Sequence, residues 1–388
     1  MRLVPVDQLH SGDRLARDVS VGPSDIPLLR AGVRMSSHYV EGLVRADIRA
    51  VYVDDAFSDG IDPVEPISER TRKEATQSLR KAFGTITSGN GGTVPGVPEQ
   101  VLATLKDLAR TIVEDISNCG EAAVAINDLA THDTYTLQHS IDVAAVGLLL
   151  AQRLWTHHGW IDGRGARRWD RTEQRLVLLG QALLLHDVGK LALPPEVLQK
   201  PGPLTPEERE LVDQHPEIGY TMLAGATALS PLVKDVVRHH HERWDGSGYP
   251  SGKVGPSTSQ FSRIAGVADV FDAISSARPY KDAAPVHVAY EFVSDGDATL
   301  FDPEIVAVFR RTVAPYPTGL AVELSDGRRG IVSACPGNAA HRPTVRLVAD
   351  GSGLLTQPVE VALADEPELS VVAVHAALPR PGEAAAAA

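Results

Sequence analysis

Leu176-Val177-Leu178-Leu179-Gly180-Gln181-Ala182-Leu183-Leu184-Leu185-His186-Asp187-Val188-Gly189-Lys190 is the most apolar helical stretch of the chain, and it ends in two side chains suited to metals and protons. The runs Leu176 to Leu179 and Ala182 to Leu185 leave no polar face. A helix apolar on every side belongs in the middle of a bundle. It is expected to run out at Gly189, the residue type that tolerates the left-handed conformation closing a helix. His186 and Asp187 would then project from a rigid base.

Working outward, Glu99 to about Pro315 keeps mostly helical apolar spacing, so the protein reads as mainly α. Thr136 to Leu154 predicts a helix carrying His139, with Ile141, Ala144, Ala145 and Leu148 on its apolar positions. Thr205-Pro206-Glu207-Glu208 supplies an N-cap, a proline at the first helical position and a reciprocal glutamate. The helix that starts there is expected to run to His215-Pro216 and to present His215 at its end. His240 and His241 are adjacent, and on a helix they diverge by about 100°. Asp269 and Asp272 are three apart within Ser262 to Ala277 and share a face.

The flanks read differently. Residues 1–60 predict a small α+β module, with short strands at Val19-Ser20-Val21, Leu28-Leu29 and Ala50 to Val53 and a helix from Ser37 to Arg45. Residues 61–98 predict a helix over 66–84 and a connector from Thr87 to Pro98 with almost nothing to bury. The helical domain is assigned to residues 99–315. Residues 316–380 return to alternation around Asp326-Gly327, a hairpin signal, and predict a small β-rich module. Residues 381–388 read as a frayed tail.

The 388 residues fit two or three domains. With 37 basic against 50 acidic residues, the formal charge of −13 repels polymeric nucleic acid but leaves room for a small anionic ligand. Cys119 and Cys335 are too few for a disulfide framework or a thiolate site, which makes a reducing cytoplasm the default expectation. No apolar run approaches the roughly 20 residues that span a bilayer, and the first residues lack the apolar core of a signal peptide.

Five imidazoles (His139, His186, His215, His240, His241) and two carboxylates (Asp187, Asp269) therefore fall within one helical domain. An all nitrogen and oxygen set favours iron, manganese or zinc over copper(I) or iron–sulfur. Seven side chains exceed what one tetrahedral zinc would use. With Asp187 as a bridge, each of two ions gains four protein ligands and keeps room for a hydroxide and a substrate oxygen. Two metals about 3.5 to 4 Å apart would activate a shared water and clamp the phosphoryl oxygens of an in-line displacement. The bland alternative is a polar core without metal, but burying five unpaired imidazoles would cost several kcal/mol.

The ordered motifs His139-Ser140, His186-Asp187-Val188-Gly189-Lys190, Lys200-Pro201-Gly202, His215-Pro216, His240 to Pro250, Val267 to Ala273 and Arg278-Pro279-Tyr280-Lys281 cover about residues 120–312. This pattern resembles the HD-GYP subgroup of HD-domain phosphohydrolases. The resemblance implies an HD-type helical bundle and hydrolysis of cyclic di-GMP to pGpG, often on to GMP. It implies two divalent ions, iron or manganese first, with zinc, magnesium and nickel as alternatives. One ion would be held by His139, His186, Asp187 and Asp269, the other by Asp187, His215, His240 and His241. Lys190 would pair with a phosphate. Tyr249, Arg278 and Lys281 would meet guanine and phosphate groups, and Asp272 would orient a ligand or the attacking water.

Two departures stand out. Some members bind a third metal through a glutamate one turn before the first histidine, where this chain has Tyr135, so two ions are expected. Trp155 to Arg175 is longer than the usual connection and reads as a lid or an insertion. The segment near Asp13 to Val19 resembles a small domain often found before HD-GYP domains. Among the remaining residues, His239 reads as structural or exposed, His157 and His158 as solvated loop residues, and Trp155, Trp160 and Trp169 as packing anchors. Two other readings stay open: a cyclic di-GMP sensor or protein scaffold without catalysis, and an HD phosphohydrolase acting on another nucleotide. A homodimer or a signalling partner is compatible with each.

Overall fold

The computed structural model describes residues 1–20, 27–46, 48–88, 96–119, 135–276 and 284–379. At the N-terminus, β1 (Arg2–Pro5), β2 (Arg14–Leu15) and β3 (Ala50–Asp54) form an antiparallel sheet in the order β1-β3-β2. Helix α1 (Ser37–Arg45) is capped by Ser36, whose hydroxyl accepts from Tyr39 N–H. Leu15, Leu43, Val51 and Val53 fill the core between them. Val19 and Leu29 pair through a single antiparallel bridge, while Val21 lies outside the described residues.

Helix α2 (Glu69–Ser88) differs in role from the connector expected around it. Ile67, Ala75, Leu79, Phe83 and Ile86 belong to the same continuous core as the helices that follow. A buried Asp142 on α4 (Tyr135–His158) receives the Arg72 guanidinium of α2 at 2.5 Å, which ties the two helices together. Residues 89–95 of the expected connector lie outside the described residues.

The centre of the molecule is α5 (Thr172–Leu185), packed against α3 (Glu99–Asn118), α4 and α9 (Pro231–His239). Leu179, Leu183, Leu184 and Leu185 are fully buried, as a helix without a polar face requires. The protein is mainly α, with short helices α6 (Pro195–Leu198), α7 (Pro206–Val212) and α8 (His215–Met222) between α5 and α9. Helices α10 (Gln260–Ser275), α11 (Val286–Asp295) and α12 (Pro303–Thr312) complete the bundle.

Two local expectations are corrected. α5 ends at Leu185, and Gly189 sits in a 3₁₀ turn without a left-handed backbone. Its real constraint is space: a Cβ there would lie 2.0 Å from His215 O and 2.6 Å from Gly219 N. The helix opened by the Thr205 capping box ends at Val212, so His215 begins α8 with Pro216 behind it. A proline in the first turn suits a helix start and not an interior.

Within Trp155 to Arg175, the last turn of α4 and the first turn of α5 flank a short hairpin, β4 (Trp160–Ile161) and β5 (Arg167–Arg168). Gln260 Oε1 accepts from Trp155 Nε1 (2.9 Å) and Ile161 N–H (3.0 Å), and Arg167 pairs with Glu304 at 2.7 Å. The hairpin is thus pinned at the far end of α4, about 28 Å along the helix axis from His139. It does not lie over the histidines. Trp155 and Trp160 are buried anchors, but Trp169 is 63% exposed, and His157 and His158 are exposed in the last turn of α4.

Beyond the bundle, β6 (Ala321–Leu324), β7 (Arg329–Ala334), β8 (Thr344–Asp350), β9 (Gly353–Ala362) and β10 (Val371–Val374) make an antiparallel sheet in the order β10-β6-β7-β8-β9. The Asp326-Gly327 turn joins β6 and β7 as expected. This sheet meets the N-terminal module: Leu3 N–H donates to Gly319 O at 2.9 Å, and Phe57 and Ile61 pack with Ile331, Val348 and Ala349. Among the described residues, no helix is long and apolar enough to cross a membrane.

Candidate metal centre

Six separate elements bring the clustered residues together. His139 comes from the first turns of α4 and His186 from the end of α5. Asp187 stands at the start of the 3₁₀ turn that follows, and His215 opens α8. His240 caps α9 with His241 just after it, and Asp269 and Asp272 share α10. All but His241 are less than a tenth exposed.

Asp187 lies between two groups of imidazoles. Its Oδ2 is 3.5 Å from His139 Nε2 and 3.4 Å from His186 Nε2, while Oδ1 is 3.2 Å from His215 Nε2 and 3.9 Å from His240 Nε2. Asp269 spans the same gap from the other side, with Oδ1 3.3 Å from His139 Nε2 and Oδ2 3.6 Å from His241 Nδ1. Ligand-type atoms of His139, His186 and Asp269, and those of His215, His240 and His241, form compact sets within 4.8 Å.

The hydrogen bonds behind the cluster decide which nitrogens face inward. His186 Nδ1 donates to Leu183 O (2.7 Å), His215 Nδ1 to Val212 O (2.7 Å) and His240 Nδ1 to Val237 O (3.0 Å). His139 Nδ1 bonds Asp272 Oδ2 at 2.5 Å. A carbonyl can only accept, so the proton sits on Nδ1 and Nε2 turns a lone pair into the cluster. Nε2 of His215 and Nε2 of His240 then face each other at 3.2 Å with no proton between them. Asp187 Oδ1 is buried and has no hydrogen-bond donor. Opposed lone pairs and an orphaned carboxylate oxygen call for a cation among them, and the donor set fits divalent metal ions.

The protonation states agree with that fit. Burial works against an ionised Asp187, but Lys190 and the neighbouring imidazoles overcome it and hold the carboxyl well below its usual range. Asp269 is held down in the same way, against burial, chiefly by His139 and His241. Burial pushes His186 down, and burial together with adjoining imidazoles pushes His240 and His241 well below the ordinary value. His139 is the exception: burial would lower it, yet Asp269, Asp272 and Asp187 raise it to about 9.

Around the centre, the Lys190 ammonium pairs with Asp187 Oδ2 at 2.6 Å. The Tyr249 ring stacks on His241 with centroids 4.7 Å apart, and burial, followed by the Asp213 and Asp269 carboxylates, raises its phenol well above the usual value. Arg278 and Lys281 lie outside the described residues, as does the side chain of Tyr135. His239 is buried and structural, bonded through Nδ1 to Asp235 Oδ1 at 2.9 Å. Asp235 Oδ2 accepts from Ser262 Oγ at 3.1 Å, bracing α9 against α10. Sequence reasoning missed Asp235 and Glu242. Asp235 precedes His239 by one helical turn, and Glu242 abuts a glycine-rich loop, but acidic residues in such places are ordinarily solvated.

Residues 163–305 match the family model described as HD domain. A cyclic di-GMP phosphodiesterase of Pseudomonas aeruginosa is 35% identical over 259 residues, 67% of this chain and 59% of that protein. The chain carries an HD domain of the HD-GYP type. A cyclic di-GMP phosphodiesterase response regulator of Xanthomonas campestris is 41% identical over 152 residues, 39% of this chain and 40% of that protein. A 3'3'-cGAMP-specific phosphodiesterase of Vibrio cholerae is 35% identical over 144 residues, 37% of this chain and 28% of that protein. The chain therefore spans about three fifths or less of these relatives' lengths. In this HD-GYP domain the paired His186-Asp187 stands at the centre of the cluster, and Gly248-Tyr249-Pro250 forms one wall.

Proposed function

We propose that the HD-GYP domain is a metal-dependent phosphodiesterase that hydrolyses cyclic di-GMP to pGpG. The observation that carries this reading is the position of Asp187, each of whose oxygens faces a different group of imidazoles. That arrangement supports two ions sharing one carboxylate. His139, His186, Asp187 and Asp269 would hold the first, and Asp187, His215, His240 and His241 the second. Iron or manganese suits these nitrogen and oxygen donors best. When bound, the ions would lower the pKa of the attacking water and stabilise charge on the phosphoryl oxygens.

The protein's own residues do the rest. Asp272 holds the His139 ring in orientation through Nδ1. Lys190, whose ammonium lies 2.6 Å from Asp187 Oδ2 at the edge of the cluster, would pair with a phosphate oxygen of the substrate. Tyr249 supplies a face for guanine next to His241, and Arg278 and Lys281 meet the phosphates and base. With Tyr135 in place of a third-metal glutamate, pGpG is the main product. The reaction belongs in the bacterial cytoplasm, in keeping with two unpaired cysteines.

The relatives named for 3'3'-cGAMP, 33 to 36% identical, favour one second reading: the same chemistry on cyclic GMP-AMP. Purified protein loaded anaerobically with Fe or Mn is to be incubated with each cyclic dinucleotide, and linear products separated. Wild type should release pGpG, and Asp187→Ala should lose both metal and turnover. Equal inertness of wild type and Asp187→Ala toward both compounds would falsify the enzymatic reading.

A further inference from the structure

Glu242 follows directly on His240 and His241, yet its carboxylate is bonded to the glycine-rich loop and not to the imidazoles. Oε1 accepts the Ser251 N–H at 2.8 Å, and Oε2 accepts the Lys253 N–H at 2.9 Å. The residue is 6% exposed. A glutamate buried to that degree is rare unless its charge is matched, and two backbone N–H groups, one on each oxygen, provide that match. The two bonds fold the intervening loop back onto the end of α9.

The other side of the loop is held by the metal-side backbone. Tyr249 N–H donates to His241 O at 3.3 Å. Gly248 lies so close beneath that a Cβ there would be 2.4 Å from both His241 O and Arg243 N. Trp244 N–H and Asp245 N–H donate to Leu300 O (3.0 Å) and Thr299 O (2.9 Å), which anchors the start of the loop to the segment before α12. Tyr249 is therefore strung between His241 on one side and the Glu242 carboxylate on the other. Its ring rests on the His241 imidazole as a result.

We propose that Glu242 is a positioning residue for substrate: its carboxylate clasps Ser251 and Lys253 and so sets the loop that presents Tyr249. The clasp acts on substrate affinity and leaves the ion-binding side chains in place. What the loop binds rests on the phosphodiesterase reading above; the clasp itself does not.

Glu242→Gln is the isosteric test, because its amide nitrogen would face one of the two N–H donors and lose that bond. Glu242→Ala loses both. Hydrogen exchange at the Ser251 and Lys253 amides is measured in metal-loaded wild type and variants, together with metal content, cyclic di-GMP binding, and KM and kcat. In wild type both amides are expected to be protected. In Glu242→Gln they should exchange about tenfold faster, with Kd and KM up about tenfold, the size of effect expected for one charge-assisted bond. Glu242→Ala should go further in the same direction, while metal content and kcat stay near wild type in both. Unprotected Ser251 and Lys253 amides in wild type, an unchanged KM and Kd, or a joint loss of metal and kcat would overturn the proposal. In a wild type that binds cyclic di-GMP without turning it over, the phosphodiesterase reading fails, and exchange and Kd alone still decide the role of Glu242. Should Glu242→Ala melt below the assay temperature, Glu242→Gln carries the comparison.

Discussion

Lys190 Nζ sits 2.6 Å from Asp187 Oδ2, the same oxygen that faces His139 and His186. One ammonium thus compensates the carboxylate at the centre of the HD-GYP cluster. On the proposed phosphodiesterase reading, a bound cation would compete with Lys190 for that charge, and the lysine would be available to a phosphate oxygen.

Lys190→Met should therefore keep its metal, and bind it at least as tightly as wild type. Its kcat/KM for cyclic di-GMP should fall by about 100-fold, the usual scale for removing a charged group that meets the reacting phosphate. Metal analysis beside steady-state kinetics checks both halves. A variant that loses metal and activity in proportion would show Lys190 to be a structural partner of Asp187.

His139, raised to about 9 by its three carboxylate neighbours, carries an extra proton at neutral pH in the metal-free protein. A metal needs the neutral ring. Loading at pH 7.5 should release about one proton on this account, read by titration calorimetry in two buffers of different ionisation enthalpy. Heats independent of the buffer would contradict it.

The same shifts set the pH dependence of metal-free stability. A group whose pKa is raised on folding stabilises fully below its unfolded value and loses that contribution as pH climbs through its folded value. For His139 the loss runs from the ordinary 6.5 up to about 9. His186, His240 and His241 are lowered, so the unfolded chain binds their protons more readily, and stability falls as pH drops below 6.5. Asp187 and Asp269, also lowered, add a further loss as pH falls below the ordinary 3.8. Melting temperatures of metal-free protein should peak near neutrality and decline on both sides. A melting temperature that climbs steadily toward pH 5 would contradict this assignment of charges.

Gly189→Ala would place a methyl group 2.0 Å from His215 O and 2.6 Å from Gly219 N, both backbone atoms that cannot swing aside. The start of α8 must shift, and His215 with it. Destabilisation of about 1 to 3 kcal/mol or more is expected from such overpacking, with weaker metal retention. Denaturant melts and metal analysis of Gly189→Ala would report both, and a wild-type midpoint would mean the turn has slack.

By itself the chain order of residues determined the parts of this protein that depend on local chemistry. Apolar runs made α5 central, Thr205 to Glu208 set a helix start, Asp326-Gly327 set a hairpin, and the histidine and aspartate motifs named a cluster before any geometry was known. These are short-range effects of periodicity, capping and turn conformation, and they survive in almost any tertiary context. The helix expected from Thr205 to His215 stops at Val212, because the proline directly after His215 can follow the end of one helix or open another, and only packing chooses. Gly189 was misread for the same reason: the backbone that crowds it belongs to α8, distant in sequence. The tertiary structure alone decided which imidazole nitrogens face inward, since their Nδ1 partners are backbone carbonyls of fixed helices and an aspartate on α10. It also removed the arginine-rich hairpin from the site and revealed Glu242 as a clasp. Both depend on which surfaces meet, and that is a property of the folded packing that no local pattern encodes.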